Sequence, residues 1–217
     1  MTITNMSFRD AIEARRSYYN ITDESTLSNE QLEELVADAI KYTPSSFNSQ
    51  TSRAVLVTGE KNKALWNAVW EAHKPNLKVE ELPVYEDKFK NSYAAGYGTI
   101  VFYEDQDAID SFVKNFPIVQ WTIKDWVQNS NGMAQYIAWT ALAANGMGAN
   151  LQHYGQYSPV NADAINKHLD VPSGWKVPIA MLAFGVPSDI NAPGNPAYAK
   201  TFEPLVDGET GRVLVRH

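Results

Sequence analysis

Residues 132–149 read GMAQYIAWTALAANGMGA, and what this stretch forms decides the fold. It falls short of the roughly 20 apolar residues that a bilayer span requires, and it carries Gln135, Thr140 and Asn145. The spacing therefore predicts a buried helix over Met133–Ala144, closed by Asn145-Gly146, where glycine suits the left-handed position beyond a helix end. Such a helix is apolar on every side and must be covered on every side, either deep in a domain or at a subunit interface.

Working outward from it, ANLQHY at 149–154 reads as a short strand, 163–169 as a short helix, and VPIAMLAF at 177–184 as a firm strand. Pro178 places the first residues of that strand outside full pairing. Beyond Gly185 the prolines 187, 193 and 196 mark an irregular arm, and order returns only at Val213-Leu214-Val215, a terminal strand. Upstream, the aromatic-rich stretch 116–131 fixes no element, TIVFY at 99–103 is a strand, and the acidic run 104–107 suits a helix start. Residues 73–91, charged and with two prolines, read as helix and loop over the surface, after a helix at 61–72 built on Leu65, Trp66, Val69 and Trp70. RAVLVT at 53–58, ending in Gly59, predicts a buried strand. Ser28 and Gln31 form a capping box before the helix of Leu32, Leu35, Val36, Ala39 and Ile40, which Pro44 stops; Ser7 and Asp10 open a shorter helix to Ala14. Helices and strands mix without regular βαβ alternation, which predicts an α+β sheet flanked by helices in a single domain over 1–217. The long arm ending in a strand suggests addition to a sheet in a partner subunit.

A formal charge of -7 disfavours nucleic acid, and the absence of cysteine excludes disulfides, thiolate catalysis and Cys-ligated metal. The four histidines 73, 153, 168 and 217 form no HxH or HExxH pattern, so no metal is expected. GxSxG, GxxxxGK[ST] and GxGxxG are missing, which argues against a serine hydrolase, a P-loop enzyme and a dinucleotide-binding Rossmann domain. The first residues lack the apolar core of a signal peptide, and a cytoplasmic location is expected.

Three polar segments have two readings each. Arg15-Arg16-Ser17 either complements a helix C-terminus or forms a compact phosphate site, with arginine supplying a bidentate fork. PSSFNSQ at 44–50 is either a turn or a polar edge for a flat heterocycle, with Phe47 as a stacking surface. His153 in LQHYG stands beside a strand, as a structural histidine or as part of a site. Taken singly, each segment favours the first reading.

Taken in order along the chain, EARRSYY at 13–19, PSSFNSQ, the helix running into NGMGANLQHYG, the strand IAMLAFGVP and KTFEPL at 200–205 resemble the FMN-dependent nitroreductase family. The RRS, PSSFNSQ and LQHY versions are most similar to a small subfamily shared by fungi and bacteria. The resemblance implies a nitroreductase-like α+β fold with a central mixed, mostly antiparallel sheet flanked by helices and a C-terminal arm that adds a strand to the partner subunit. It implies a homodimer with two FMN molecules bound between subunits. Of the cofactor-binding residues, it assigns Arg15, Arg16 and Ser17 to the flavin phosphate and ribityl chain. It assigns Ser45, Ser46, Phe47, Asn48 and Gln50 to a loop lent by the opposite subunit, and Leu151, Gln152, His153 and Tyr154 to the ring edge. Lys200 or Arg212 would complete the phosphate site; Phe202 stands where the broader family has a second basic residue, which makes Arg212 the preferred substitute. The implied activity needs no catalytic side chain: NADH or NADPH reduces the flavin at N5, and a nitroaromatic or quinone acceptor then takes the electrons. The alternative from another class is a flavin- or small-ligand-binding regulatory protein with little turnover.

Overall fold

The structure, a computed structural model, describes residues 6–188. The terminal strand at 213–215, the arm expected to reach a partner, Lys200 and Arg212 lie outside the described residues.

The chain enters through α1 (Phe8–Ala14), where the Ser7 side chain accepts from the Asp10 N–H at 3.2 Å. The helix α2 (Asn29–Lys41) starts at the expected capping box: Gln31 N–H donates to Ser28 Oγ at 3.3 Å and Ser28 N–H to Gln31 Oε1 at 2.9 Å. Its Leu32, Leu35, Val36 and Ala39 are buried, as their period requires. There follow β1 (Ser52–Thr58), α3 (Gly59–His73), α4 (Leu82–Lys88), β2 (Gly98–Glu104) and α5 (Gln106–Asn115). The helix α6 (Ile123–Ala144) then leads to β3 (Gly148–Gln152), a single turn α7 (Tyr154–Tyr157), α8 (Pro159–Leu169) and β4 (Pro178–Gly185).

Among the described residues the strands form one four-stranded antiparallel sheet in the order β1-β2-β4-β3. The only parallel pairing among the described residues is a bridge from Ser17 to Ala149 at the β3 edge. The β2–β4 register shifts between Phe102 and Tyr103, opposite Pro178, so the proline does sit where pairing is irregular. Period-two alternation divides the core. Leu56, Ile100, Phe102, Leu182 and Phe184 face α2 and α6, whereas Val57, Val101, Tyr103 and Met181 face the layer containing α3 and α8. On that second face the buried Trp66 donates from Nε1 to Thr99 Oγ1 at 2.8 Å, and Thr99 donates on to Asn62 Oδ1 at 2.6 Å.

Three expectations need correction. Among the described residues RAVLVT is an edge strand, and most of its residues are only half-buried, because β1 has a described neighbour on one side alone. The 73–91 stretch is not purely superficial: His73 and Phe89 are buried, and a π-helical turn at Phe89–Tyr93 brings Phe89 and, just beyond the stretch, Tyr93 into the second core. The central helix begins ten residues before Met133, at Ile123, because Val127, Ser130 and Asn131 already lie on its buried face. Gly146 does adopt the left-handed φ of 78° that ends it. The helix is not covered on every side by the described chain, since Met133 and Tyr136 remain 41% and 38% exposed.

Candidate functional site

The Arg15–Ser17 segment is laid against the β3 edge by backbone bonds. Tyr18 N–H donates to Ala149 O at 3.0 Å, and Asn150 Nδ2 donates to Tyr18 O at 2.8 Å. Further on, Thr22 N–H donates to Val186 O at 2.8 Å, and Gly185 is required there because a Cβ would collide with the Thr22 carbonyl. Ser17 is thereby brought beside Ala149 on β3, whose end carries Leu151 and Gln152, with His153 following. The Arg15 guanidinium lies over the indole of Trp139 on α6, 4.4 Å from its centroid, and 6.0 Å from that of Tyr136. Its Nε is buried with no hydrogen-bond partner among the described residues, and so is Trp139 Nε1. An unpaired buried donor costs roughly 1–3 kcal/mol, more for a charged group, so this end of α1 suits an anionic acceptor. Arg16 is half-buried beside it.

Of the four ring-edge residues, Leu151 packs against the α2/α6 core and Gln152 donates to Asn150 Oδ1 at 3.0 Å. His153 is exposed and precedes α7. The ring of Tyr154 is buried among Trp66, His73, Phe89 and Tyr93, so its side chain is part of the second core. Burial pushes its phenol pKa up, and that of Tyr93 to about 12.

The Ser45–Gln50 loop is both a turn and a presented surface. Pro44 ends the helical segment, a short 3-10 turn spans Ser46–Asn48, and Phe47, Asn48 and Gln50 stand at φ of 53°, 54° and 49°. Left-handed backbone at non-glycine residues costs on the order of 1 kcal/mol or more each and persists only where surroundings impose it. Phe47 stacks on Phe116 at 6.0 Å and tilts against Phe112 and Trp126 at 6.0 and 6.1 Å, yet stays 66% exposed. The flanking residues are clamped below. Ser52 Oγ donates to Glu104 Oε1 at 2.6 Å and Asn131 Nδ2 to the same oxygen at 2.7 Å, while Arg53 meets Asp105 at 2.9 Å. Burial pushes the Glu104 pKa up against those hydrogen bonds.

Within one chain these segments do not meet. Phe47 touches Trp126, whereas Arg15 lies on Trp139, and the step of 13 residues from one tryptophan to the other along one helix sets the two positions about 20 Å apart. The structure therefore lays Ser17 against Ala149 on β3 and Arg15 on Trp139 of α6, and holds Ser45–Gln50 apart as a second cluster. Sequence reading missed Arg53, Glu104, Asn131 and Trp139. Each looked like strand, helix start or core, and only pairing across the sheet and helix packing reveal their partners. Among the described residues no group of His, Asp and Glu could hold a metal ion, and no helix is long and apolar enough to cross a membrane.

A helix-flanked antiparallel sheet with these two clusters defines a nitroreductase-like fold. Nitroreductase CinD from Lactococcus lactis, solved with chloramphenicol, superposes with a TM-score of 0.76 at 31% identity, over 91% of this chain and 95% of that one. With 4-nitrophenol bound, CinD gives 0.74. A protein from Exiguobacterium sibiricum, solved in complex with FMN, shares the fold at 20% identity and a TM-score of 0.62, over 89% of this chain and 94% of that one. Nitroreductase FRM2 of Saccharomyces cerevisiae is 32% identical over 184 residues, which are 84% of this chain and 89% of FRM2. The family model described as "Nitroreductase family" matches residues 12–186, and the chain belongs to that family. Membership makes it an oxidoreductase.

Proposed function

We propose that the protein is an FMN-dependent NAD(P)H oxidoreductase that reduces nitroaromatic and quinone acceptors, and that it works as a homodimer. The observation that carries this reading is Arg15: a guanidinium at a helix end, its Nε buried without an acceptor, beside the Ser17–β3 junction. In this reading Arg15, Arg16 and Ser17 hold the phosphate and ribityl chain, and Lys200 or Arg212 adds a cation from outside the described residues. Leu151, Gln152, His153 and Tyr154 border the ring, Tyr154 through its backbone. The 20 Å separation along α6 leaves Ser45, Ser46, Phe47, Asn48 and Gln50 for the flavin of the partner subunit. Phe8, Ile12, Met133 and Tyr136, exposed on the packed pair α1 and α6, offer the apolar surface that pairing would cover.

FMN, when bound, would supply the redox chemistry, taking hydride from NADH or NADPH and passing electrons to the acceptor. The chain's residues bind and orient: arginine forks the phosphate, loop amides and hydroxyls meet the ring's polar edge, and the Phe47 cluster gives an apolar wall suited to flat acceptors. That CinD is solved with 4-nitrophenol supports a nitroaromatic acceptor here.

The test is anaerobic. Protein reconstituted with FMN should sediment at twice the 24.2 kDa of one chain, bleach with NADH or NADPH, and recover its colour with a nitroarene. Bound FMN that neither donor bleaches would mark a binding protein, and failure to take up FMN would refute the flavin reading altogether.

A further inference from the structure

The polar loop owes its shape to a residue outside it. Gln50 stands at φ 49°, and both its backbone groups are engaged. Its N–H donates to Ser45 Oγ at 3.0 Å and its carbonyl accepts from Arg53 Nη1 at 2.7 Å. The same nitrogen donates to Ser52 O at 3.0 Å, and Nη2 donates to Asp105 Oδ2 at 2.9 Å. One planar guanidinium thus grips the backbone on both sides of Thr51 and ties it to the end of β2. The anchor is itself held: Asp105 Oδ1 caps α5 by accepting from Asp107 N–H at 3.1 Å and Ala108 N–H at 3.2 Å, and Asp105 N–H donates to Thr51 O at 3.0 Å. The pair is largely shielded, with side chains 32% and 17% exposed.

We propose that Arg53 is a positioning residue for the cofactor loop: its fork fixes the Gln50 carbonyl, and through it the left-handed backbone that presents Ser45, Ser46, Asn48 and Gln50. The inference rests on the FMN reading above. Neither Arg53 nor Asp105 belongs to the three segments assigned to the flavin, and Arg53 acts through Gln50. A lysine cannot replace it fully, because an ammonium lacks the planar fork that reaches carbonyl and carboxylate together.

The experiment titrates FMN into apoprotein of wild type, R53K and R53M, reading Kd from quenching of flavin fluorescence and ring environment from visible circular dichroism. R53M should bind about tenfold more weakly and R53K about threefold. Both should show an altered visible dichroic band, while the thermal midpoints of the apoproteins stay within a few degrees of wild type. An R53M Kd within twofold of wild type, or weakened binding with an unchanged dichroic band, would overturn the inference. Wild-type protein that takes up no FMN would instead refute the flavin reading on which it rests. Should R53M fail to fold, D105N reads the same linkage: asparagine keeps the helix cap but turns an N–H toward Nη2. About threefold weaker FMN binding is then expected, and unchanged affinity would overturn the inference.

Discussion

Arg15→Met separates the two things that Arg15 does. The methionine keeps an apolar stem against Trp139 and removes the guanidinium that now lies 4.4 Å from the indole centroid. If the guanidinium holds the flavin phosphate, the substitution loses a charge-assisted hydrogen bond worth about 1.5–3 kcal/mol, which weakens FMN roughly 10- to 150-fold. In the apoprotein two smaller effects oppose each other. The cation–π contact contributes about 0.5–1 kcal/mol, and removing the unpaired buried Nε relieves about 1–3 kcal/mol. The thermal midpoint of the apoprotein should therefore hold or rise, by no more than about 10 °C. The assay is a fluorescence titration of apoprotein with FMN, with calorimetry of the same samples. An FMN affinity within threefold of wild type would refute the phosphate role, and a fall in midpoint beyond about 10 °C would show the stack to be structural.

Other outcomes follow from the buried polar groups. Trp66→Phe removes the indole donor to Thr99 at 2.8 Å and leaves a void in the second core. The cost is about 3 kcal/mol, seen as a thermal midpoint lower by roughly 6–12 °C; a drop under about 2 °C would refute it. Glu104 binds its proton more tightly in the folded chain than the ordinary glutamate value of 4.5, because it is buried. The native state thus holds more protons, and stability falls as pH rises from about 4.5 through the raised native value. Glu104→Gln keeps an acceptor for Ser52 and Asn131 and should remove that fall, so wild type loses stability relative to the variant as pH rises in urea titrations. Parallel stability curves for the two proteins would contradict this assignment.

How much of this was legible in the sequence varies with the range of the forces involved. The capping box at Ser28 and Gln31, the stop at Pro44 and the left-handed Gly146 are local, and each appears where its residue type requires. Strands 99–103 and 177–184 were legible because they are central and apolar on both faces. RAVLVT has the same composition, but its place at the sheet edge is set by which strand pairs with which, and composition does not carry that. The aromatic segment 116–131 resisted reading because its last part is the first turns of α6, where Ser130 and Asn131 are polar yet buried.

The candidate site divides along the same line. The sequence by itself determined the three polar segments, their order and the family they point to, since residue types at fixed spacing suffice for that. Only the tertiary structure decided that Tyr154 turns into the core, that Arg15 rests on Trp139, and that Arg53 and Asp105 hold the PSSFNSQ loop. Those relations join residues far apart in the chain, through hydrogen bonds and ring contacts that exist only once the sheet is paired and α6 is packed across it.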